Sequence, residues 1–242
     1  MQKSQEWFPR VNDTPEQGRR MKLSIIEPCG FTRLGIFSYL VENNNLDIID
    51  TVNISQALNS LTEFQPDVIL VNMTQYCHNA ELSLELKAFF EFRHTARIYC
   101  YIDANYPDSD APIAITREVF VLNKQSLTQL LQEIAADAES FMPENNFGIP
   151  RTLFSDQEIL VMGYWMSEMP NYRIARKLNI SSRTVYVHKR HLAQKIKVRN
   201  RLEFCFIYNL IKYLFWPIDD ISATPISRQI KDDLLMIYKA HS

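Results

Sequence analysis

From Lys22 to about Ser140, short runs rich in Ile, Val and Tyr alternate with stretches whose apolar residues recur at helical spacing. The runs 22–26, 47–52, 67–71, 97–102 and 118–122 are almost continuously apolar, which suits strands covered on both faces. Between them the spacing predicts helices over 32–42, 55–63, 80–92 and 126–139. After the fourth strand, NYPDSDAPIA carries two prolines and predicts loop instead of helix. Five βα repeats, one of them degenerate, predict a doubly wound parallel sheet, because parallel neighbours need crossovers of about this length.

The pattern then breaks. Pro143, Asn145, Asn146, Gly148 and Pro150 interrupt every periodicity, so 141–151 is expected to be a linker. Beyond it no strand pattern occurs, and four short helices are predicted. Ser155 caps the first, with Leu160, Val161 and Tyr164 or Trp165 inward; Asn171 caps the second, with Ile174, Ala175 and Leu178 inward. Ser181 caps the third, where Val185, His188, Leu192 and Ile196 form one stripe, and the fourth runs from near Asn200 through Leu214. The expected order is a flexible extension over 1–20, an α/β domain over 21–140, the linker, an all-α domain over 152–216 and a C-terminal extension over 217–242. In that extension Ile230, Leu234, Leu235, Ile237 and Tyr238 make an amphipathic segment expected to pack on the chain itself.

Composition changes this picture little. Hydrophobic residues make up 46% and charged ones 22%, as in an ordinary globular protein. The start, MQKSQEWFPRVNDTPEQGRR, lacks the apolar run of a secretory signal, and the longest apolar stretch, 204–218, falls short of the roughly 20 residues of a spanning helix. A cytoplasmic protein without membrane contact is expected. Cys29, Cys77, Cys100 and Cys205 show no CxxC spacing and are expected to be reduced, partly buried thiols.

Charge is more informative by position than in total. The net charge is only −2, yet 173–201 contains ten Lys or Arg residues and no Asp or Glu, leaving 16 basic against 28 acidic residues elsewhere. Such a focus marks an electrostatic footprint for a polyanion. Within it the third helix opposes its apolar stripe with Arg183, Tyr186, Val187, Arg190, Gln194 and Lys197, and Asn179, Ile180 and Ser181 form a short turn before it. An apolar side held by a supporting helix and a long, basic, hydrogen-bonding side are what a recognition helix requires. Most charge runs are only solvated faces. Here the acid-free stretch and the opposing stripe favour DNA. His188 and His191 have no nearby acid or thiol to complete a metal site, so neither a metal nor a cofactor is expected.

These residues also resemble a family. FSDQEILVM followed by IARKLNISSRTVYVHKRHLAQKIKVRNRLEF is similar to the helix-turn-helix of LuxR/FixJ-type (GerE-like) regulators over 154–204. The resemblance implies base-edge contacts from Tyr186, Val187 and Arg190, and backbone contacts from Ser182, Arg183, Thr184, Lys189 and Lys195. Glu168 departs from it, since the family usually turns on Gly there; Pro170 is the alternative turn-former.

The five βα units in turn resemble a response-regulator receiver domain of flavodoxin-like fold, and MKLSIIEPCGFTRLGIFSYL is similar to the opening of RcsA-like auxiliary regulators that pair with RcsB. A working receiver needs two acids after its first strand for Mg²⁺, an Asp after the third as acceptor and a Lys after the fifth. This chain offers Glu27 followed by Pro28, then Asn72, then Asn123 with Lys124 displaced by one position. Glu27, Asn72 and Asn123 thus define a degenerate phosphorylation pocket, and phosphorylation is not expected to switch the domain. An amide is a poor nucleophile, and one carboxylate holds Mg²⁺ weakly.

The expected function is a sequence-specific transcription regulator of double-stranded DNA, acting as a homodimer or as a heterodimer with an RcsB-like regulator. An adaptor that captures a second regulator and leaves DNA reading to it is the alternative. An enzyme is not expected: the five glycines (18, 30, 35, 148, 163) form no phosphate-binding motif, and no catalytic grouping is legible.

Overall fold

The computed structural model describes residues 19–41, 45–141, 152–217 and 220. The extension before 19, most of the predicted linker and the amphipathic C-terminal segment lie outside the described residues. The N-terminal part runs β1 (Met21–Ile26), α1 (Gly30–Leu40), β2 (Leu46–Thr51), α2 (Ile54–Phe64), β3 (Val68–Asn72), α3 (Thr74–Cys77), α4 (Leu84–Phe90), β4 (Arg97–Ile102), β5 (Ile113–Ala114), β6 (Val119–Asn123) and α5 (Lys124–Ala136). The C-terminal part is all helical: α6 (Asp156–Met166), α7 (Asn171–Leu178), α8 (Ser182–Lys195) and α9 (Arg201–Phe215).

The sheet order is β2-β1-β3-β4-β6-β5, parallel throughout except for the two-residue edge strand β5. Alternation along the strands explains the near-continuous apolar runs. Leu23, Ile25, Leu70, Tyr99 and Tyr101 face α1 and α5 through Ile36, Leu40, Leu127, Leu130 and Ile134. Ile26, Ile69, Val71, Ile98, Cys100 and Val121 face the other way, into a core that includes α2, α3, α4 and residues of the C-terminal helices. Asparagines cap the starts of three helices: Asn53 Oδ1 accepts from Gln56 N (2.9 Å), Asn123 Oδ1 from Ser126 N (2.8 Å) and Asn200 Oδ1 from Glu203 N (2.9 Å).

Three sequence expectations are adjusted. The helix predicted over 80–92 is instead the shorter α4 and a 3₁₀ segment, Glu91–His94, with the unpredicted turn α3 before it, because Asn79 and Ser83 hydrogen-bond the backbone at Glu81 and Leu86 and delay the helix start. Residues 103–118 carry no helix, as NYPDSDAPIA suggested, but contribute the antiparallel β5. Phe141, placed in the linker, ends a 3₁₀ turn with its ring 6.0 Å from Tyr99.

Of the cysteines, Cys77, Cys100 and Cys205 are buried and free, whereas Cys29 is exposed. Among the described residues no helix is long and apolar enough to cross a membrane. The apolar stretch that invited that test is α9, buried on every side from Glu203 to Tyr213 between the two parts of the chain.

Candidate nucleic-acid interface

The helical part is built on polar caps. Ser155 and Glu158 form a capping box at the start of α6. Asn179 ends α7 in the left-handed region at φ 52°, a conformation that asparagine tolerates. Two residues after Asn179, Ser181 caps α8, its Oγ accepting from Thr184 N (3.0 Å). The tight turn fixes α8 across α6 and α7, with Val185, Leu192 and Ile196 buried.

Two details of this turn region differ from the sequence reading. Pro170, not Asn171, occupies the N-cap position of α7. The turn before it remains at Glu168, whose backbone is left-handed at φ 58° despite its side chain, so Pro170 does not replace it. A non-glycine residue there carries a strain of about 1–2 kcal/mol. In α6 the inward residues are Val161, Met162 and Met166, while Leu160 is 45% exposed; an almost uniformly apolar helix does not announce its phase.

The outer side of α8 is open. Ser182, Arg183, Tyr186 (62% exposed), Val187 (38%), Arg190 and Gln194 share it, and Thr184 is half-buried with its hydroxyl 2.8 Å from that of Ser181. Arg173, Arg176 and Lys177 are exposed along α7. Acting together, these groups offer guanidinium forks, a phenol and hydroxyls to a polyanion or to base edges.

Three lysines of the footprint do not join that face. Lys189 Nζ lies 2.6 Å from Asn171 Oδ1 and 5.2 Å over the Trp165 ring. Burial, with Arg201 nearby, pushes its ammonium down to about 8. Lys195 Nζ donates to Glu158 Oε2 (2.6 Å) and Leu153 O (3.0 Å). Burial works to raise the Glu158 carboxyl, but its bonds to Lys195 and Ser155 outweigh this and hold it below the usual carboxylate range. Lys197 follows α8 at φ 50° and reaches Ser109 Oγ (3.0 Å) in the N-terminal part. Acids outside the acid-free stretch also fold back on it, with Glu203 pairing Arg199 (3.0 Å) and Glu168 lying 3.9 Å from Arg201. The footprint of ten cations is therefore narrower than it reads.

The degenerate phosphorylation pocket is partly assembled. Glu27 is fully buried, accepting from Cys29 N (2.7 Å) at Oε1 and from Asn72 Nδ2 (3.0 Å) at Oε2. Asn123 is not in the cavity lined by Glu27, Cys29, Asn72, Thr74, Tyr101, Asp103 and Lys124. Its side chain instead donates to Pro107 O (2.8 Å) and Ser109 O (3.0 Å), tying down the loop before β5. Asp103, at the end of β4, was not singled out from sequence; it sits 2.9 Å from Lys124 Nζ and neutralises it. The acid directly after a predicted strand was the available signal.

Residues 22–144, just over half of the chain, match the family model of the transcriptional regulator RcsA, N-terminal dimerisation domain. The chain belongs to the RcsA family. Residues 152–207, which hold the turn and α8, match the luxR family of bacterial regulatory proteins. Among curated RcsA-family relatives, the transcriptional regulatory protein RcsA of Erwinia amylovora is 26% identical over 209 residues, covering 79% of this chain and 93% of that protein. The transcriptional regulatory protein EntR of Citrobacter freundii is 26% identical over 190 residues, covering 75% and 94%. A solved complex of the response regulator RcsB with DNA aligns at a TM-score of 0.45 with 16% identity, over 81% of this chain and 98% of that one.

Proposed function

We propose that this RcsA-family regulator reads double-stranded DNA through the outer side of α8, with Tyr186, Val187 and Arg190 at base edges and Ser182, Arg183 and Thr184 at the sugar-phosphate backbone. The observation that carries this reading is the division of α8 into a buried stripe, Val185, Leu192 and Ile196, and an open side bearing Arg183, Tyr186 and Arg190. Lys189 and Lys195 serve in the same helix by holding it to α7 and α6, and their inward bonds assign them to positioning before contact. The all-α part over 152–216 is the reading domain, and the α/β part over 21–140 is the assembly domain. That domain pairs with a second copy or with an RcsB-like regulator; its match to a dimerisation-domain family supports pairing. Phosphorylation does not operate it, since Asn72 stands at the acceptor position and both oxygens of Glu27 are engaged. The protein acts in the cytoplasm and is not an enzyme.

The test is DNA selection from a random duplex library, with and without an RcsB-like partner. A defined motif bound by this protein supports the reading, and log affinity should then fall with log salt at a slope near −5 for about six phosphates. Enrichment only when the partner is present would favour the adaptor instead.

A further inference from the structure

In a doubly wound sheet, each crossover between parallel strands lays a helix on one face. The crossover from β4 to β6 spans 103–118 and supplies none, so the sheet around Ile113, Ile115 and Val121 lacks a cover from its own domain. That cover comes from the helical part. Ile196 at the end of α8 and Ile207 of α9 close over Pro107, Ile113, Ile115 and Val121. Phe206 packs against Tyr106 at 5.7 Å and His78 at 4.5 Å.

Farther along α9 the fit is polar and specific. Asn209 and Lys212 are fully buried, and they donate to Cys77 O (2.8 Å) and Ala80 O (3.2 Å). Tyr213 Oη accepts from Ser83 N (2.9 Å), and Lys87 Nζ reaches Tyr213 O (3.4 Å). A buried amide and ammonium are tolerated only where oxygens are placed to receive them, and the 77–83 segment places them. A second seam joins Lys197 O to Asp108 N (2.8 Å). All these contacts involve α9 and the end of α8, whereas Ser182, Arg183, Tyr186, Val187 and Arg190 lie in the first turns of α8 and remain open.

We infer that α9 serves as the missing crossover helix of the α/β domain and that DNA is read with the two domains docked, without their separation. The inference rests on the DNA-reading assignment above. It names a rigid arrangement in which the assembly domain sets the orientation of α8.

The test bridges the seam. Asp108→Cys and Lys197→Cys, in a Cys29→Ser background, should close a disulfide on mild oxidation, or a link through a short bismaleimide. Bridged and reduced forms of this one protein are then titrated with the selected DNA. Equal affinity within about threefold is expected. A larger loss on bridging would mean that reading requires undocking, and failure of both bridges to close would mean that the seam does not form in solution; either overturns the inference. If neither form binds DNA although the bridge closes, the reading assignment fails and the inference with it. In the wild-type protein, hydrogen exchange in 78–90 and 103–112 gives an independent readout: protection should persist at saturating DNA, and a rise in exchange would contradict docked reading.

Discussion

Lys195 Nζ and Glu158 Oε2 lie 2.6 Å apart, so a cation from the basic stretch binds α8 to α6 inside the domain. Glu158 is almost wholly buried, and removing its partner leaves an uncompensated carboxylate. Lys195→Met is expected to destabilise the protein by about 1–3 kcal/mol in chemical denaturation. DNA affinity of the folded fraction should fall less than for Arg190→Ala. Because the Glu158 carboxyl is held below its ordinary range, the stability it adds is complete above the unfolded-state value and disappears as pH falls through the folded one. Glu158→Gln should therefore lie furthest from wild type near neutrality and converge on it in acid.

Glu168 holds a left-handed turn that favours glycine. Glu168→Gly should raise stability by about 0.5–1 kcal/mol, after allowing for the greater freedom of glycine in the unfolded chain. Its ion pair with Arg201, at 3.9 Å between exposed groups, contributes little against this. A lower melting temperature in calorimetry would show that the turn is not strained.

Lys212 is buried at the domain seam, and burial pushes its ammonium down to about 8. The ammonium lies 5.3 Å from the Tyr213 ring and donates to Ala80 O (3.2 Å). For a base with a depressed folded value, the unfolded chain binds more protons between about pH 8 and its ordinary value near 10.5, so stability rises with pH there. Wild type should gain on Lys212→Met across that interval in paired denaturation curves. A constant difference would place the ammonium in water.

Asn72 donates to Glu27 where a receiver would present a nucleophilic acid. Incubation with acetyl phosphate and Mg²⁺ should leave the intact mass unchanged. A labile adduct of one phosphate would contradict phosphorylation-independent operation.

Much of the fold was legible because its strands are short, β-branched and covered on both faces; β1 and β4 begin and end within a residue of the predicted runs. The caps at Ser155 and Ser181 were legible for the same local reason. What local pattern does not carry is which distant groups meet. Nothing in the acid-free stretch tells that Glu158 draws Lys195 inward, or that Asn123 turns from the pocket to the Pro107 and Ser109 carbonyls. The long apolar run of α9, interrupted by Asn209 and Lys212, does not name its partner, which is a sheet face left bare by the absent crossover helix. The open side of α8 was legible in outline, with Arg183, Tyr186 and Arg190 exposed together, but Lys197 belongs to the domain seam.

The most direct test of the account is a DNA titration of Arg190→Ala beside wild type, on the selected site and on single-base variants. Loss of about 1–3 kcal/mol is expected, roughly 5- to 150-fold in affinity, with discrimination relaxed at one base pair. A binding curve identical to wild type on every duplex would contradict the assignment of this side of α8 as the reading face.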